Sequence, residues 1–202
     1  MNTQSGRSMV EMLGVLAIIG VLSVGAIAGY SKAMVKYKLN KQAEQLNQIF
    51  NGITQYYRQF NSTTDLLNIL KKLNIIPLEM IKDNSGHIYD VFNNQINVRA
   101  ENCSRGSCSV FYYFLNTDNN QEFAACRNII NTVKENSANL YYVELLANYG
   151  AEGESRHTFL GDAYCRSGNK CLKNISLTNM DDMCTSAKGK RTAHLKVWWK
   201  NN

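Results

Sequence analysis

An uninterrupted apolar segment near the start of the chain sets the strongest limit on how this protein can fold. The 19 residues from Met12 to Tyr30 (MLGVLAIIGVLSVGAIAGY) carry no charged side chain. At 1.5 Å rise per residue, a helix of this length spans about 28 Å, close to the ~30 Å hydrocarbon core of a bilayer. Although 45% of the 202 residues are hydrophobic, the mean hydropathy is only −0.31. The apolar residues are therefore concentrated in this segment, and a more polar domain follows it.

Two ordinary roles for such a segment are a secretory signal peptide and a simple membrane anchor. A signal peptide needs a basic start, about 7–15 apolar residues and a small-residue cleavage site. Arg7 and the tripeptide 26–28 (AIA) before Gly29 offer these features, and this interpretation predicts a soluble mature protein that begins at Gly29. An anchor needs about 20 apolar residues, which the segment just provides.

Neither role explains Gly6 and Glu11. Glu11 is the only acidic residue near the start of the apolar segment, and it is the fifth residue after Gly6. Because a carboxylate at the edge of a membrane segment is costly when it faces lipid, it usually has a partner. Cleavage after Gly6 would create an α-amine at Arg7. That amine, on the same helix or on a neighbouring subunit, could pair with Glu11.

The segment from Gly6 to Glu11 (GRSMVE), followed by the apolar run, resembles the class III signal of type IV pilins. In that family a membrane-bound prepilin peptidase cuts after the glycine and methylates the new N-terminus, here Arg7. A glutamate at the fifth mature position, here Glu11, is needed for assembly. Arg7 departs from the family pattern, in which the first mature residue is usually apolar.

The resemblance also implies a location and partners. It implies a single-pass protein of the cytoplasmic (inner) membrane with its head outside, which later joins an extracellular pilus or related filament. The implied partners are other copies of the chain, other pilins, the prepilin peptidase and the inner-membrane assembly platform. No cofactor is implied.

A second apolar pattern continues the helix beyond the segment. Seven residues follow the 4, 3 spacing of an amphipathic helix: Leu39, Ala43, Leu46, Phe50, Ile53, Tyr57 and Phe60. The polar residues between them predict a solvated or polar-packed face. We therefore predict a leader at 1–6 and one helix from about Arg7 to Phe60. Its transmembrane half covers 7–30 and its amphipathic half covers 31–60.

The remaining residues, 61–202, are predicted to form a globular head of the α+β class, with the long helix packed on an antiparallel sheet. Turn residues and apolar runs predict these elements: a short helix capped near Thr64 or Asp65 and ended by Pro77, a hairpin of His87–Phe92 and Gln95–Arg99 joined by Asn93-Asn94, a central strand over Ser109–Leu115, a helix over Gln121–Lys134, and a strand over His194–Trp199 that closes the sheet. Leu140–Leu146 is ambiguous between helix and strand, and residues 159–176 are predicted to be loop-like.

Six cysteines lie downstream of the apolar segment, which favours disulfides in an oxidising compartment over a metal site. Their close spacing suggests Cys103–Cys108 and Cys165–Cys171 as local bridges, leaving Cys126–Cys184 as a long-range bridge. Six cysteines allow about 15 pairings, so this set is a preference. The sequences around Cys126 (FAACRNII) and Cys184 (DDMCTSAKGK) are similar to the two cysteine regions of type IVb pilins, such as the toxin-coregulated pilin and conjugative thin-pilus pilins.

No catalytic or metal-binding motif stands out. His87, His157 and His194 are scattered, and Ser155 beside His157 lacks an orienting acid at a recognisable spacing. Asp181-Asp182 without further ligands is interpreted as a solvated turn rather than a calcium loop. We therefore predict a structural protein, not an enzyme.

The basic charge leaves one alternative open. The formal net charge is +6, and five cations lie near the C-terminus around Trp198-Trp199: Lys188, Lys190, Arg191, Lys196 and Lys200. Such a surface could contact DNA or acidic polymers, as in a minor pilin or pseudopilin whose head binds DNA or a surface ligand. The simpler interpretation is a strand with one core face and one solvated lysine face.

Overall fold

Helix α1 runs without interruption from Gln4 to Tyr56 and is followed by a short 3-10 turn, Tyr57–Gln59. The computed structural model describes residues 4–59, 65–82, 86–101, 108–115, 117–148, 153–190 and 192–199, with side chains from Met9 onward except those of 108–110 and 148. The predicted continuation of the helix past Gly29 is confirmed. Its α-helical part ends four residues before Phe60, which lies outside the described residues.

The chain divides into two compact units, one ending at Lys38 and the other beginning at Leu39. The boundary therefore falls inside α1, whereas the sequence placed the start of the head at residue 61. The difference arises because the last turns of α1 share the core of the second unit. Leu46, Phe50 and Ile53, from the predicted apolar stripe, are at most 1% exposed.

The second unit is built on an antiparallel sheet of six described strands, in the order β1-β2-β3-β6-β4-β5. The strands are β1 Ile88–Tyr89, β2 Gln95–Glu101, β3 Cys108–Phe114, β4 Tyr142–Asn148, β5 Glu154–Leu160 and β6 Thr192–Trp199. The predicted hairpin is present as β1 and β2, although β1 has only two residues. The ambiguous segment near Leu140 is strand β4.

The predicted C-terminal strand is present as β6, and it lies inside the sheet rather than at an edge. It pairs with β3 on one side and β4 on the other, so it joins the two halves of the sheet. Both of its faces carry buried side chains: Leu195, Val197 and Trp199 on the core face and Trp198 on the other. Strands covered on both faces are typical of sheet interiors.

Three shorter helices complete the described part of the second unit: α2 Leu66–Lys72, α3 Asn120–Glu135 and α4 Leu177–Ala187. Asp65 caps α2, as predicted, by accepting a hydrogen bond from the Asn68 N–H. However, α2 ends five residues before Pro77. Asn119 and Ser176 begin α3 and α4 through capping boxes, in which side chain and backbone satisfy each other's hydrogen bonds.

The prediction of a solvated turn at Asp181-Asp182 was wrong. Asp181 and Asp182 lie within helix α4, not in a turn. The helix carries few strongly apolar residues, and its buried side chains are Met180, Met183, Cys184 and Ala187. The segment 159–176 is also more ordered than predicted, since strand β5 extends to Leu160 and two short 3-10 turns follow.

Two disulfides are present among the described residues. Cys126 on α3 is bonded to Cys184 on α4, with 5.9 Å between their Cα atoms, and Cys165 is bonded to Cys171, with 5.6 Å. Both pairs agree with the pairing that the spacing favoured. The Cys103–Cys108 pair lies outside the description, because Cys103 and the side chain of Cys108 are not described.

The core of the second unit lies between the end of α1 and one face of the sheet. The Phe50 ring meets Phe111 of β3 and Trp199 of β6 edge-to-face, at centroid distances of 5.1 and 5.9 Å. Gly52 of α1 allows a close approach, since a Cβ there would lie 2.3 Å from an Ile75 methyl carbon. The head is therefore packed directly onto the helix.

Candidate functional site

The first unit is an apolar helix whose side chains are exposed along its whole described length. Every large apolar residue from Met9 to Tyr30 is between 52% (Ile19) and 76% (Val21) exposed. The helix is long and apolar enough to cross a membrane, with a mean hydropathy of 2.4 over its most apolar 18-residue window. Burial of apolar surface is worth about 25 cal/mol per Å², so covering this surface with lipid or with other protein would be favourable.

Glu11 lies at the start of this apolar surface. It is the only charged residue between Met9 and Ser31, and its side chain is exposed. No ion pair to Glu11 forms among the described side chains. The carboxylate is therefore available to a group outside this set.

The structure places Gly6 and Arg7 in the first turns of α1, one turn before Glu11. Residues four apart on a helix lie on the same face, and their rise along the axis is about 6 Å. The bond between Gly6 and Arg7 lies where the helix N–H groups have no intrahelical partner. Cleavage there would shorten α1 by three residues and bring the new amine within one turn of Glu11.

Four glycines lie along the exposed helix at Gly14, Gly20, Gly25 and Gly29. A Cβ built at any of them would meet nothing within 4 Å. Packing within the chain therefore does not require these glycines. In helices that pack together in lipid, small residues of this kind let the backbones approach closely.

A buried polar network, which the sequence did not predict, holds the part of α1 from Leu39 onward against the rest of the second unit. Gln42 is 0% exposed, and its amide nitrogen donates to Asp90 Oδ2 (2.7 Å) and to the Tyr113 hydroxyl oxygen (2.9 Å). Its carbonyl oxygen accepts from Asn128 Nδ2 of α3 at 2.9 Å. From the sequence, the polar face of the amphipathic half of α1 could be either solvated or packed. In the structure, part of this face is buried.

Asp90 is the centre of that network. Its carboxylate accepts hydrogen bonds from the Phe92 and Asn94 backbone N–H groups, at 2.9 and 2.7 Å, and from the Tyr113 hydroxyl. Burial, together with the negative charge of Asp90, raises the pKa of Tyr113 well above its usual range. Tyr113 therefore stays protonated. The hydrogen bonds of the network join four elements of the second unit: α1, the β1–β2 turn, β3 and α3.

The two C-terminal tryptophans do not form one binding surface. Trp199 is 0% exposed, and its indole N–H donates to Thr54 Oγ1 at 3.0 Å. Trp198 points to the other face of the sheet and stacks on Tyr142 at 5.0 Å. Lys196 lies over the Tyr112 ring at 5.0 Å, so strand β6 has one core face and one partly covered face.

The scattered polar residues do not converge on a catalytic or metal centre in the described part of the chain. Asp181 forms an ion pair with Arg127 of α3, whose Nη2 lies 2.6 Å from Asp181 Oδ2. No group of three or more potential metal ligands is found among the described residues. Burial lowers the pKa of both His157 and His194, and a nearby lysine lowers each further.

Comparisons with known protein families, with characterised proteins and with solved structures find no match to this chain. The functional interpretation therefore rests on the chain's own residues and their geometry.

Proposed function

We propose that the chain is the precursor of a pilin-like structural subunit, cut after Gly6 and assembled into a filament through α1. One observation carries the proposal: the apolar helix has no covering partner within the described chain, and it begins with a single exposed carboxylate, Glu11. A subunit built to insert its helix first into a membrane and then among its neighbours needs both features.

The apolar segment is sufficient to hold the subunit in a membrane before assembly. It contains nine Leu, Ile and Val residues between Met12 and Tyr30. Each contributes about −0.3 to −0.6 kcal/mol to insertion, so together they favour insertion by about 3–5 kcal/mol. Glu11 lies at the end of the segment, where its charge can reach the interface.

Glu11 then acts in assembly. Transfer of the helix from lipid into a filament core removes the carboxylate from water, and an unpaired buried charge is strongly unfavourable. The α-amine of Arg7 in a neighbouring subunit would neutralise it. Because this pair forms only when two helices are correctly offset, it would set the register between subunits.

The disulfides favour the proposed orientation with the head outside. Lys32, Lys36 and Lys38 follow the apolar segment, whereas Arg7 precedes it, and a bias of cations alone would place the lysine end in the cytoplasm. Disulfide bonds, however, form and persist in oxidising compartments and are rare in the cytosol. The two bridges of the second unit therefore favour its export.

The proposed processing is tested by mass spectrometry of the mature N-terminus. A chain that begins at Arg7 and carries an added methyl group is the expected product. A mature chain that begins at Gly29, or an uncut chain in cells that process other pilins, would contradict it.

The assembly role is tested with Glu11→Ala in cells that make the filament. The variant should insert into the membrane normally but be absent from sheared surface filaments, since the charge pair is lost. Glu44→Ala is the matched control, because Glu44 is an exposed acid of α1 that forms an ion pair with Lys41 at 3.4 Å. Filaments of normal abundance with Glu11→Ala would reject the role.

A further inference from the structure

Two adjoining cavities on the second unit form a groove with the composition of a saccharide site. The first, of about 220 Å³, lies between the end of α1 and the turn after α3, and its walls include Tyr57, Arg58 and Asn139. The second, of about 360 Å³, lies beside the Cys165–Cys171 loop. Both share Ala163 and Tyr164 as walls, so Tyr164 stands between them.

Aromatic rings form the walls of this groove. Tyr57 lines the first cavity, Tyr141 lines the second, and Tyr164 lines both. All three side chains are half-buried. Tyr141 meets Tyr164 edge-to-face at 4.8 Å, and it also meets Tyr142 edge-to-face at 5.1 Å. The rings of Tyr141 and Tyr164 are therefore held in place before any ligand arrives, which lowers the entropic cost of binding.

The rim of the groove is polar and positively charged. Arg58 and Asn139 belong to the first cavity, Arg166 and Asn169 to the second, and all four side chains are exposed. Within the described part of the chain, no Asp or Glu lines either cavity. Asparagine amides can donate to and accept from hydroxyl groups, and arginine binds carboxylates bidentately.

We propose that this groove binds an acidic oligosaccharide, with sugar rings on either side of Tyr164 and carboxylates at Arg58 and Arg166. Aromatic faces, amides and guanidinium groups match the apolar faces, hydroxyls and carboxylates of such a chain. A single-stranded nucleic acid also stacks on aromatic rings, but it needs a continuous basic track for its phosphates. Lys196, which lies over the Tyr112 ring, lines neither cavity.

The test uses the full chain in detergent micelles, before any filament forms, so that its outcome does not depend on assembly. Binding of fluorescent hexagalacturonate is measured by anisotropy, and methyl-esterified hexagalacturonate and a twelve-residue oligothymidylate are the competitors. The free acid should bind, and the ester should compete at least about tenfold more weakly, because it has lost the charged partners of the arginines.

Variants locate the site. Arg166→Gln should weaken binding about tenfold, and Tyr164→Ala should weaken it at least as much, whereas Tyr164→Phe should retain it because the ring remains. Arg99→Gln is the control, since Arg99 is an exposed cation that lies outside both cavities, over the Tyr112 ring at 4.9 Å. If Tyr164→Ala does not fold, Arg166→Gln and Arg58→Gln decide the question.

Several results would overturn the proposal. One is that hexagalacturonate does not bind at low salt, and another is that its methyl ester competes equally well. The others are that Arg99→Gln and Arg166→Gln lose the same affinity, or that the oligothymidylate binds more tightly than hexagalacturonate. Because the assay needs neither cleavage nor polymerisation, loss of filaments in the Glu11→Ala variant would leave these results unchanged.

Discussion

Removal of one hydroxyl group from the buried network tests how α1 is held on the sheet. In Tyr113→Phe, Asp90 loses one buried hydrogen-bond donor, while Gln42 and Asn94 keep their own hydrogen bonds to Asp90 Oδ2, at 2.7 and 3.1 Å. A hydrogen bond to a charged group contributes about 1.5–3 kcal/mol. The remaining donors offset part of the loss, so we expect the free energy of unfolding to fall by about 2 kcal/mol.

The assay is denaturant unfolding of the full chain in detergent, followed by near-ultraviolet circular dichroism of the aromatic core. For a unit of this size, 2 kcal/mol also corresponds to a fall in Tm of about 4–8 °C. Tyr37→Phe is the matched control, because that hydroxyl belongs to a side chain that is 60% exposed. The reasoning is refuted if Tyr113→Phe unfolds at the same denaturant concentration as the control.

The pH dependence gives a second readout of the same group. The pKa of Tyr113 is raised in the folded protein, so the unfolded chain releases this proton first as the pH rises above about 10. The stability linked to Tyr113 is thus fully present below pH ~10 and falls above it, by about 1.4 kcal/mol per pH unit, until the folded pKa is reached. In Tyr113→Phe this alkaline loss should be smaller, and an unchanged alkaline slope would contradict the assignment.

Two further predictions concern the disulfide and a close backbone contact. Replacement of Cys126 and Cys184 by alanine opens a loop of 58 residues, which should lower the free energy of unfolding by about 4 kcal/mol. Comparison of the denaturant midpoints of the variant and the unsubstituted chain, both without reductant, checks this value, and equal midpoints would contradict it. Gly161→Ala should destabilise the second unit by at least about 1–3 kcal/mol, because a Cβ there would lie 1.9 Å from the Leu140 carbonyl oxygen. Gly14→Ala, at an open position, should leave Tm within about 1 °C, and equal effects of the two glycine substitutions would argue against the contact.

Elements with strong local signals were predictable from the sequence. The stripe that contains Leu46 and Phe50 has helical spacing, and the structure buries these residues in the core. The hairpin of β1 and β2, strand β3 and helix α3 follow from runs of one periodicity between turn or capping residues. Asp65 was predictable as a cap because the N-terminal hydrogen bond is formed within three residues.

Elements that depend on distant partners were not predictable. Helix α4 has few strongly apolar residues, and its buried Met180 and Cys184 acquire their role by packing on the rest of the unit. The interior position of β6 depends on pairing with β3 and β4, far apart in the chain. The groove around Tyr164 brings together residues from α1, from the turn after α3 and from the Cys165–Cys171 loop.

The sequence by itself determined that an apolar helix opens the chain, that Glu11 is its lone charge, and that the helix continues into an α+β head. These features depend on the spacing of residues within one or two helical turns, and that spacing can be read directly from the sequence. Only the tertiary structure decided that Gln42 and Asp90 are buried together, which strands are neighbours, and which surfaces remain open. Gln42 and Asp90, for example, are 48 positions apart, and no local periodicity encodes a contact over that distance.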